Sequence, residues 1–394
     1  MIRVRHRHEP RADTRSRAQD PLHVVMLIQH YLPTLGGAER QLAALVPLLS
    51  ARGVRVTVIT RTEQPMLRDV EMGGARVLRV RVRGPAPLRS LHYTAAAVRA
   101  VRRLHPDVLH AHDMLSPTTS ALLGSQLTGA AVVVKVLRSG PVGDLARLRQ
   151  KSFGRRRIGW MRRAVARFIV ISDDIGRELS ETGFAPDQQV LVPNGVDLVR
   201  FRPITELERG RRRRELGWGS GPVALFSGRL APEKRVDRLV AAWPRIRERV
   251  PDAQLVVVGS GPLQDRLHAA AGPGVVLIGA LDDVAQVVPA ADVFVLPSIA
   301  EGLSNSMLEA MASGLGVVAT RVGGAADLIV DGANGSLVEV DDHEALEDAI
   351  VELLADARRC RTYGFMARRV VADRFSLETT ADALVRLYRS VSER

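Results

Sequence analysis

Residues 291–316 read ADVFVLPSIAEGLSNSMLEAMASGLG: an apolar run, Val293 to Leu296, feeds a polar loop and then an amphipathic segment beginning near Leu303. A short apolar run bounded by turn formers suits a strand buried on both faces, and the spacing after it suits a helix. A helix starting in such a loop presents unpaired backbone N–H groups and the positive end of its dipole, which together attract an anion. Gly302 lets the backbone come close to a ligand. Glu301 and Glu309 lie eight residues apart, roughly 12 Å along a helix axis at about 1.5 Å per residue. That separation is enough to put one carboxylate by a sugar ring and the other by a ribose, with neither placed to meet phosphates, where a carboxylate would repel. The plainer alternative is two solvated acids on a helix surface.

The same pattern recurs upstream. Val223 to Ser227 leads into Gly228, Arg229, Leu230, Ala231, Pro232, Glu233 and Lys234, at the carboxyl edge where open parallel sheets take their ligands. Arg229 offers a planar fork for phosphate oxygens and Lys234 a mobile point charge, together enough to neutralise a diphosphate. The chain has only three lysines, Lys135, Lys151 and Lys234, so a lysine here is hard to ascribe to composition. Gly36 and Gly37 follow the first strand, His23 to Ile28, where a double glycine suits either close approach of amides to a phosphate or a simple tight turn. His110 and His112 stand at the end of the strand Val108 to His110. They share a face if the strand continues, but no third ligand has a sensible spacing for a metal. His112 is therefore either a partner for a sugar hydroxyl or a structural histidine. No G-x-G-x-x-G follows the first strand, and Gly259, Ser260, Gly261 continues to Gln264, which disfavours an oxidoreductase.

A chain of 394 residues exceeds what one hydrophobic core ordinarily fills, so two domains are expected. Short β-branched runs alternate with longer amphipathic stretches, the signature of βα units on parallel sheets. The rhythm breaks at Pro193 to Pro203 and in the charged stretch Glu206 to Glu215. The expected organisation is a disordered basic tail over 1–20, an N-terminal domain over 21–198, a C-terminal domain over 199–374 and a final helix over 375–394. The tail holds six arginines against three acids, so +10 of the net charge of +13 sits on the body. Aromatics are 4%, poor for base stacking, and no zinc-finger or RNP-like pattern is present, so nucleic acid is not an expected partner. Apolar runs such as Leu255 to Val258 fall far short of the ~20 residues that span a bilayer, and the Arg-rich start does not resemble a secretory signal. One cysteine, Cys360, cannot form an internal disulfide, and a reducing cytoplasm is expected. Between Arg147 and Arg167, Phe153, Ile158, Trp160 and Met161 interleave with arginines, as in a helix lying on anionic lipid or, equally, a solvated basic helix.

Together these residues resemble the retaining glycosyltransferases of the GT-B fold, family 4 type, over nearly the whole chain from Leu22. The most specific part is Pro297 to Met311 with its Glu, seven residues, Glu spacing. Support comes from Arg229 with Lys234, from PNGVD at 193–197, from VVGSGP at 257–262 and from VGG at 322–324. The resemblance implies an α/β architecture of two Rossmann-like α/β/α domains facing across a cleft, with the last helix crossing back to the N-terminal domain. It implies that a hexose-type sugar moves from a UDP- or GDP-sugar to a glycan, lipid-linked or small-molecule acceptor, with no metal and no other cofactor. Glu301 would face the donor sugar, Glu309 the ribose, and the backbone at Gly302, Leu303 and Ser304 the diphosphate. Gly36, Gly37, Gly228 and Gly259 would let donor and main chain approach. The implied catalytic set is His112, Arg229, Lys234 and Glu301. There are two departures: Arg235, where glycine is common after the lysine, and 138–143, which lacks the usual histidine-glycine look and leaves the acceptor open. A nucleotide-sugar epimerase or hydrolase, or a non-catalytic nucleotide-sugar-binding protein, would keep the same donor contacts. The expected location is the cytoplasm, with peripheral association at the inner face of an anionic membrane.

Overall fold

The computed structural model of the protein describes residues 21–33, 36–63 and 66–393; the tail expected over 1–20 lies outside them. Among the described residues the strands form two sheets. The first holds β1 (Leu22–Leu27), β2 (Val54–Thr62), β3 (Asp69–Met72), β4 (Ala75–Arg81), β5 (Val108–His112), β6 (Ala131–Lys135), β7 (Arg167–Val170) and β8 (Gln189–Leu191). Their order is β3-β4-β2-β1-β5-β6-β7-β8, parallel apart from the β3 and β4 hairpin. The second holds β9 (Val223–Ser227), β10 (Gln254–Val258), β11 (Val275–Gly279), β12 (Val293–Leu296), β13 (Gly316–Thr320) and β14 (Ser336–Val338), in the order β11-β10-β9-β12-β13-β14. Strands β9, β12 and β13 are buried along their whole length, as apolar runs covered on both faces by helices must be. Strand order reverses between β1 and β5 and between β9 and β12. At such switch points the carboxyl ends of parallel strands open a crevice, and here both crevices line one cleft.

Three departures from the sequence reading concern boundaries. Strand β3 has no counterpart in it, because DVEM is an exposed edge with no apolar run. The charged stretch Glu206–Glu215 is a helix capped by the Thr205 hydroxyl; Arg209 and Arg213 on it both reach Asp292, at 3.0 and 2.7 Å, and so tie it under β12. The Arg-rich 147–167 stretch is two helices, Asp144–Arg149 and Gly154–Ala164, with Phe153 in the left-handed region between them. The final helix, Leu377–Ser392, packs against the helix Gly37–Ala51 and against β5. Its Tyr388 hydroxyl stands 2.7 Å from His110 Nδ1. Among the described residues no helix is long and apolar enough to cross a membrane.

Candidate active site

The cleft between the sheets has a volume of about 770 Å³, within the range of ligand sites that enclose most of a small molecule. On the C-terminal side its wall is the stretch following β12. The helix there is Asn305–Ala312, two residues later than the sequence spacing predicts, because Ser304 is its N-cap and its hydroxyl accepts from Met307 N. The apolar residues Met307, Leu308 and Met311 hold the helix against the core, while Glu309 faces the cleft. The Ser304 cap satisfies one of the helix's four orphan donors. Among the described residues no acceptor meets the backbone N–H of Leu303, Ser304, Asn305 or Ser306, and this row of amides is the anion-attracting feature of the wall. Glu301 lies outside the helix, so the 12 Å helical ruler between it and Glu309 does not apply. Instead the buried Glu301 carboxylate takes an ion pair from Lys234 at 2.5 Å and a hydrogen bond from the Ser298 hydroxyl at 2.7 Å. Glu309 has no hydrogen-bond donor among the described residues; burial pushes its carboxyl up to about 7, against the pull of Arg40 and Arg200.

Arg229 is exposed on the same wall with no side-chain partner among the described residues, free to turn toward a ligand. Arg235, where a glycine was expected, sits in the left-handed region at φ 53°. That conformation explains why glycine suits the position; here an ion pair to Asp341 at 3.2 Å accompanies the strain. Two of the glycines make a close approach to other main chain. A Cβ on Gly259 (φ 142°) would strike the Gly228 carbonyl, and a Cβ on Gly302 would strike the Leu137 carbonyl of the opposite domain.

The N-terminal wall begins with His112, which lies within β5 rather than beyond it. It stacks on His110 with ring centroids 4.3 Å apart, and its Nε2 is buried without a partner. Burial, then the charge of Lys135, lowers its pKa to about 3, so the ring is neutral. Among the described residues no group of three potential metal ligands comes together. The sequence reading missed several residues here. Asp113 follows His112 with φ 90° and accepts from the Gln29 amide at 2.5 Å and Leu115 N at 2.7 Å. Burial, with Asp144 close by, raises its carboxyl to about 7. Lys135, lowered to about 8 by burial, donates to Asn194 Oδ1 at 2.7 Å. Asn194 in turn donates to the Leu303 carbonyl at 3.2 Å and to Asn305 at 2.8 Å, and Asn305 donates to the Gly37 carbonyl at 2.8 Å. This chain of hydrogen bonds and the Arg40 contact to the Leu281 carbonyl at 3.0 Å hold the two walls together. The signal for Asn194 was present in PNGVD, and that for Asp113 in its adjacency to His112; nothing in the sequence marked Asp144. Gly36 and Gly37 do start a helix at the cleft, but the Glu39 carboxylate folds over Gly36 and competes with any phosphate there.

Two family models match the chain, a glycosyl transferase 4-like domain over residues 36–195 and glycosyl transferases group 1 over residues 221–356. A D-inositol 3-phosphate glycosyltransferase of Geodermatophilus obscurus is 32% identical across 97% of this chain and 92% of its own. A GDP-mannose-dependent alpha-mannosyltransferase of Mycolicibacterium smegmatis is 31% identical across 94% and 98%. The chain belongs to the group 1, family 4-type glycosyltransferases. A third relative, a GDP-mannose-dependent alpha-(1-6)-phosphatidylinositol monomannoside mannosyltransferase of M. smegmatis, is 36% identical over half of this chain, and that match spans only 55% of the relative's length. Anabaena HepE, solved with UDP and glucose, superposes with a TM-score of 0.78 at 20% identity over 94% of this chain and all of that one. Sucrose-phosphate synthase of Thermosynechococcus elongatus does so at 0.78 and 24%, over 94% and 99%. These likenesses show that this glycosyltransferase has the GT-B fold. In it, Arg229, Lys234, Glu301, Ser304 and Glu309 converge on one wall and His112 lies on the wall opposite.

Proposed function

We propose that this glycosyltransferase moves a hexose-type sugar from a nucleoside-diphosphate sugar to an acceptor held on the N-terminal wall, with retention at the anomeric carbon and without a metal. The observation that carries the reading is the convergence, in one cleft, of four unmet amides, Leu303 to Ser306, with Arg229 and the Lys234 and Glu301 pair. A diphosphate leaving group gains charge as the bond from the sugar to its oxygen breaks. Amides and cations fixed where that charge grows lower the barrier, because they need no reorganisation. The acceptor hydroxyl attacks the same face, and its proton passes to a phosphate oxygen of the departing group. The neutral His112 ring supplies its unpartnered Nε2 to a hydroxyl of the transferred sugar. The names of three relatives favour GDP-mannose as the donor. A screen of UDP- and GDP-sugars, with and without a crude acceptor fraction, tests this: acceptor-dependent release of the nucleoside diphosphate is expected, and an isomerised donor would mean an epimerase.

Glu309 accepts the ribose hydroxyls on this reading, which requires its ionised form. Its carboxyl, raised to about 7 by burial, then loses a proton on binding. Affinity for the nucleoside diphosphate therefore rises with pH up to neutrality and levels off above it, by up to about tenfold per unit. The nucleotide's own phosphate titrates near pH 6, so the difference between wild type and Glu309→Gln, read by calorimetry from pH 5.5 to 8.5, isolates this effect. An identical pH profile in the variant contradicts the ribose role.

We place the enzyme on the cytoplasmic side of a membrane, touching it peripherally. Phe153 is 71% exposed at the start of the basic helix Gly154–Ala164, and Leu88 and Leu91 are also exposed on this domain, an apolar and cationic combination suited to anionic lipid. Salt-sensitive co-sedimentation with phosphatidylglycerol vesicles is expected, weakened by Phe153→Ala; its absence at low ionic strength would remove this part of the reading.

A further inference from the structure

The donor wall accounts for Arg229, Lys234 and the amides before the 305–312 helix, and leaves a separate cation unexplained. Arg61 sits near the carboxyl end of β2 and lines the cleft on the N-terminal side. Among the described residues its guanidinium makes no ion pair; its side-chain hydrogen bond runs from Nη2 to His30 Nε2 at 3.3 Å, and its Nε is buried with no partner. Two carboxylates act on it electrostatically, Asp113 and Glu63, and neither neutralises it. Glu63 is held by Arg89 at 2.6 Å. Asp113 is spent on Gln29 and Leu115 N, and with its carboxyl near 7 it is only half ionised at neutral pH. Since an arginine only donates, His30 Nε2 is the unprotonated nitrogen, which leaves Nδ1–H as a donor.

Strand order shows how far this cation lies from the donor. His112 ends β5, β1 intervenes, and β2 carries Arg61. Two strand spacings of about 4.8 Å put its strand roughly 10 Å from that of the histidine assigned to the transferred sugar. On the other flank, Arg138 follows β6 and pairs with Glu233 of the donor loop at 4.0 Å, so that cation belongs to the donor side. A half-buried guanidinium without a counterion is costly unless a ligand provides one. We propose that Arg61 and His30 form an anion subsite for the acceptor, which is therefore a polyol or glycan bearing a phosphate or carboxylate about one sugar ring from the attacking hydroxyl. The subsite rests on the glycosyltransferase reading of the cleft and names the acceptor class which that reading leaves open.

The test is calorimetry on the full chain saturated with GDP or UDP, whichever binds, titrated with inorganic phosphate, glucose 6-phosphate, glucuronate and glucose. Phosphate-bearing or carboxylate-bearing probes should bind at least about tenfold more tightly than glucose, and the stronger of the two identifies the anion. Arg61→Gln should abolish that preference, and Arg61→Lys, which keeps the charge, should restore part of it; charge-assisted bonds of this kind are worth about tenfold or more in affinity. Nucleotide affinity in the same variants reports an intact donor site. The inference is overturned if charged and neutral probes bind alike, if Arg61→Gln leaves the preference unchanged, or if Arg229→Ala removes it equally, since the anion would then be in the donor site. Absence of nucleotide binding in the wild type would overturn the donor reading itself, a different and separately visible failure.

Discussion

Replacing Lys234 by alanine lowers kcat by about two to three orders of magnitude, the cost of removing one preorganised group from a site of developing negative charge. The ammonium is the cation that links the Glu301 carboxylate to the space beside Arg229. The same substitution also strips Glu301, 7% exposed, of its counterion. Breaking a buried pair leaves an uncompensated charge, a cost of about 1–3 kcal/mol here after allowing for water at the Lys234 end, whose side chain is 20% exposed. A fall of a few degrees in Tm follows. The two effects separate in Lys234→Ala/Glu301→Gln. Removing the orphaned charge recovers Tm while kcat stays low. Recovery of both together would mean that neither the Lys234 ammonium nor the Glu301 carboxylate acts in the chemical step.

Gly302→Ala is expected to cut kcat/KM by about a hundredfold while each domain stays folded. The added methyl would press on the Leu137 carbonyl and on Ile171 Cδ1, both in the opposite domain. A backbone carbonyl cannot yield as a side-chain end can, so the strain is relieved by opening the cleft. A misplacement of about 1 Å between bound reactants is enough for a loss of that size. Small-angle scattering should show a larger radius of gyration for the nucleotide-bound variant than for the nucleotide-bound wild type. Equal radii and wild-type turnover would show that the approach of Gly302 to Leu137 has no part in the working enzyme.

What could be read in the sequence and what could not follow from the range of each interaction. The strands other than β3 and β14, the first helix and the stretch around Glu301 were legible because apolar periodicity and glycine placement are local, and the family resemblance tied them into a GT-B arrangement. The start of the 305–312 helix was misplaced because Leu303 continues the apolar pattern, whereas the cap depends on the Ser304 hydroxyl reaching Met307 N. The closeness of Glu301 to Lys234 spans 67 residues of chain and has no periodic signature. For Gly302 the sequence reading expected close backbone approach to a ligand, and the structure adds a close approach to the Leu137 carbonyl across the cleft, a long-range contact with no signature in sequence. Asp144 was silent for a further reason. A single acid at the start of a short helix looks the same in sequence whether water or a buried site lies beyond it.

The most direct measurement is a crystal structure of the protein with its nucleoside diphosphate. We expect the pyrophosphate oxygens within hydrogen-bond distance, about 2.7–3.2 Å, of backbone amides between Leu303 and Ser306, with Arg229 and Lys234 on either side and the ribose against Glu309. A nucleotide seated elsewhere, for instance on the amides of the 37–51 helix with Arg229 and Lys234 turned away, would contradict the account.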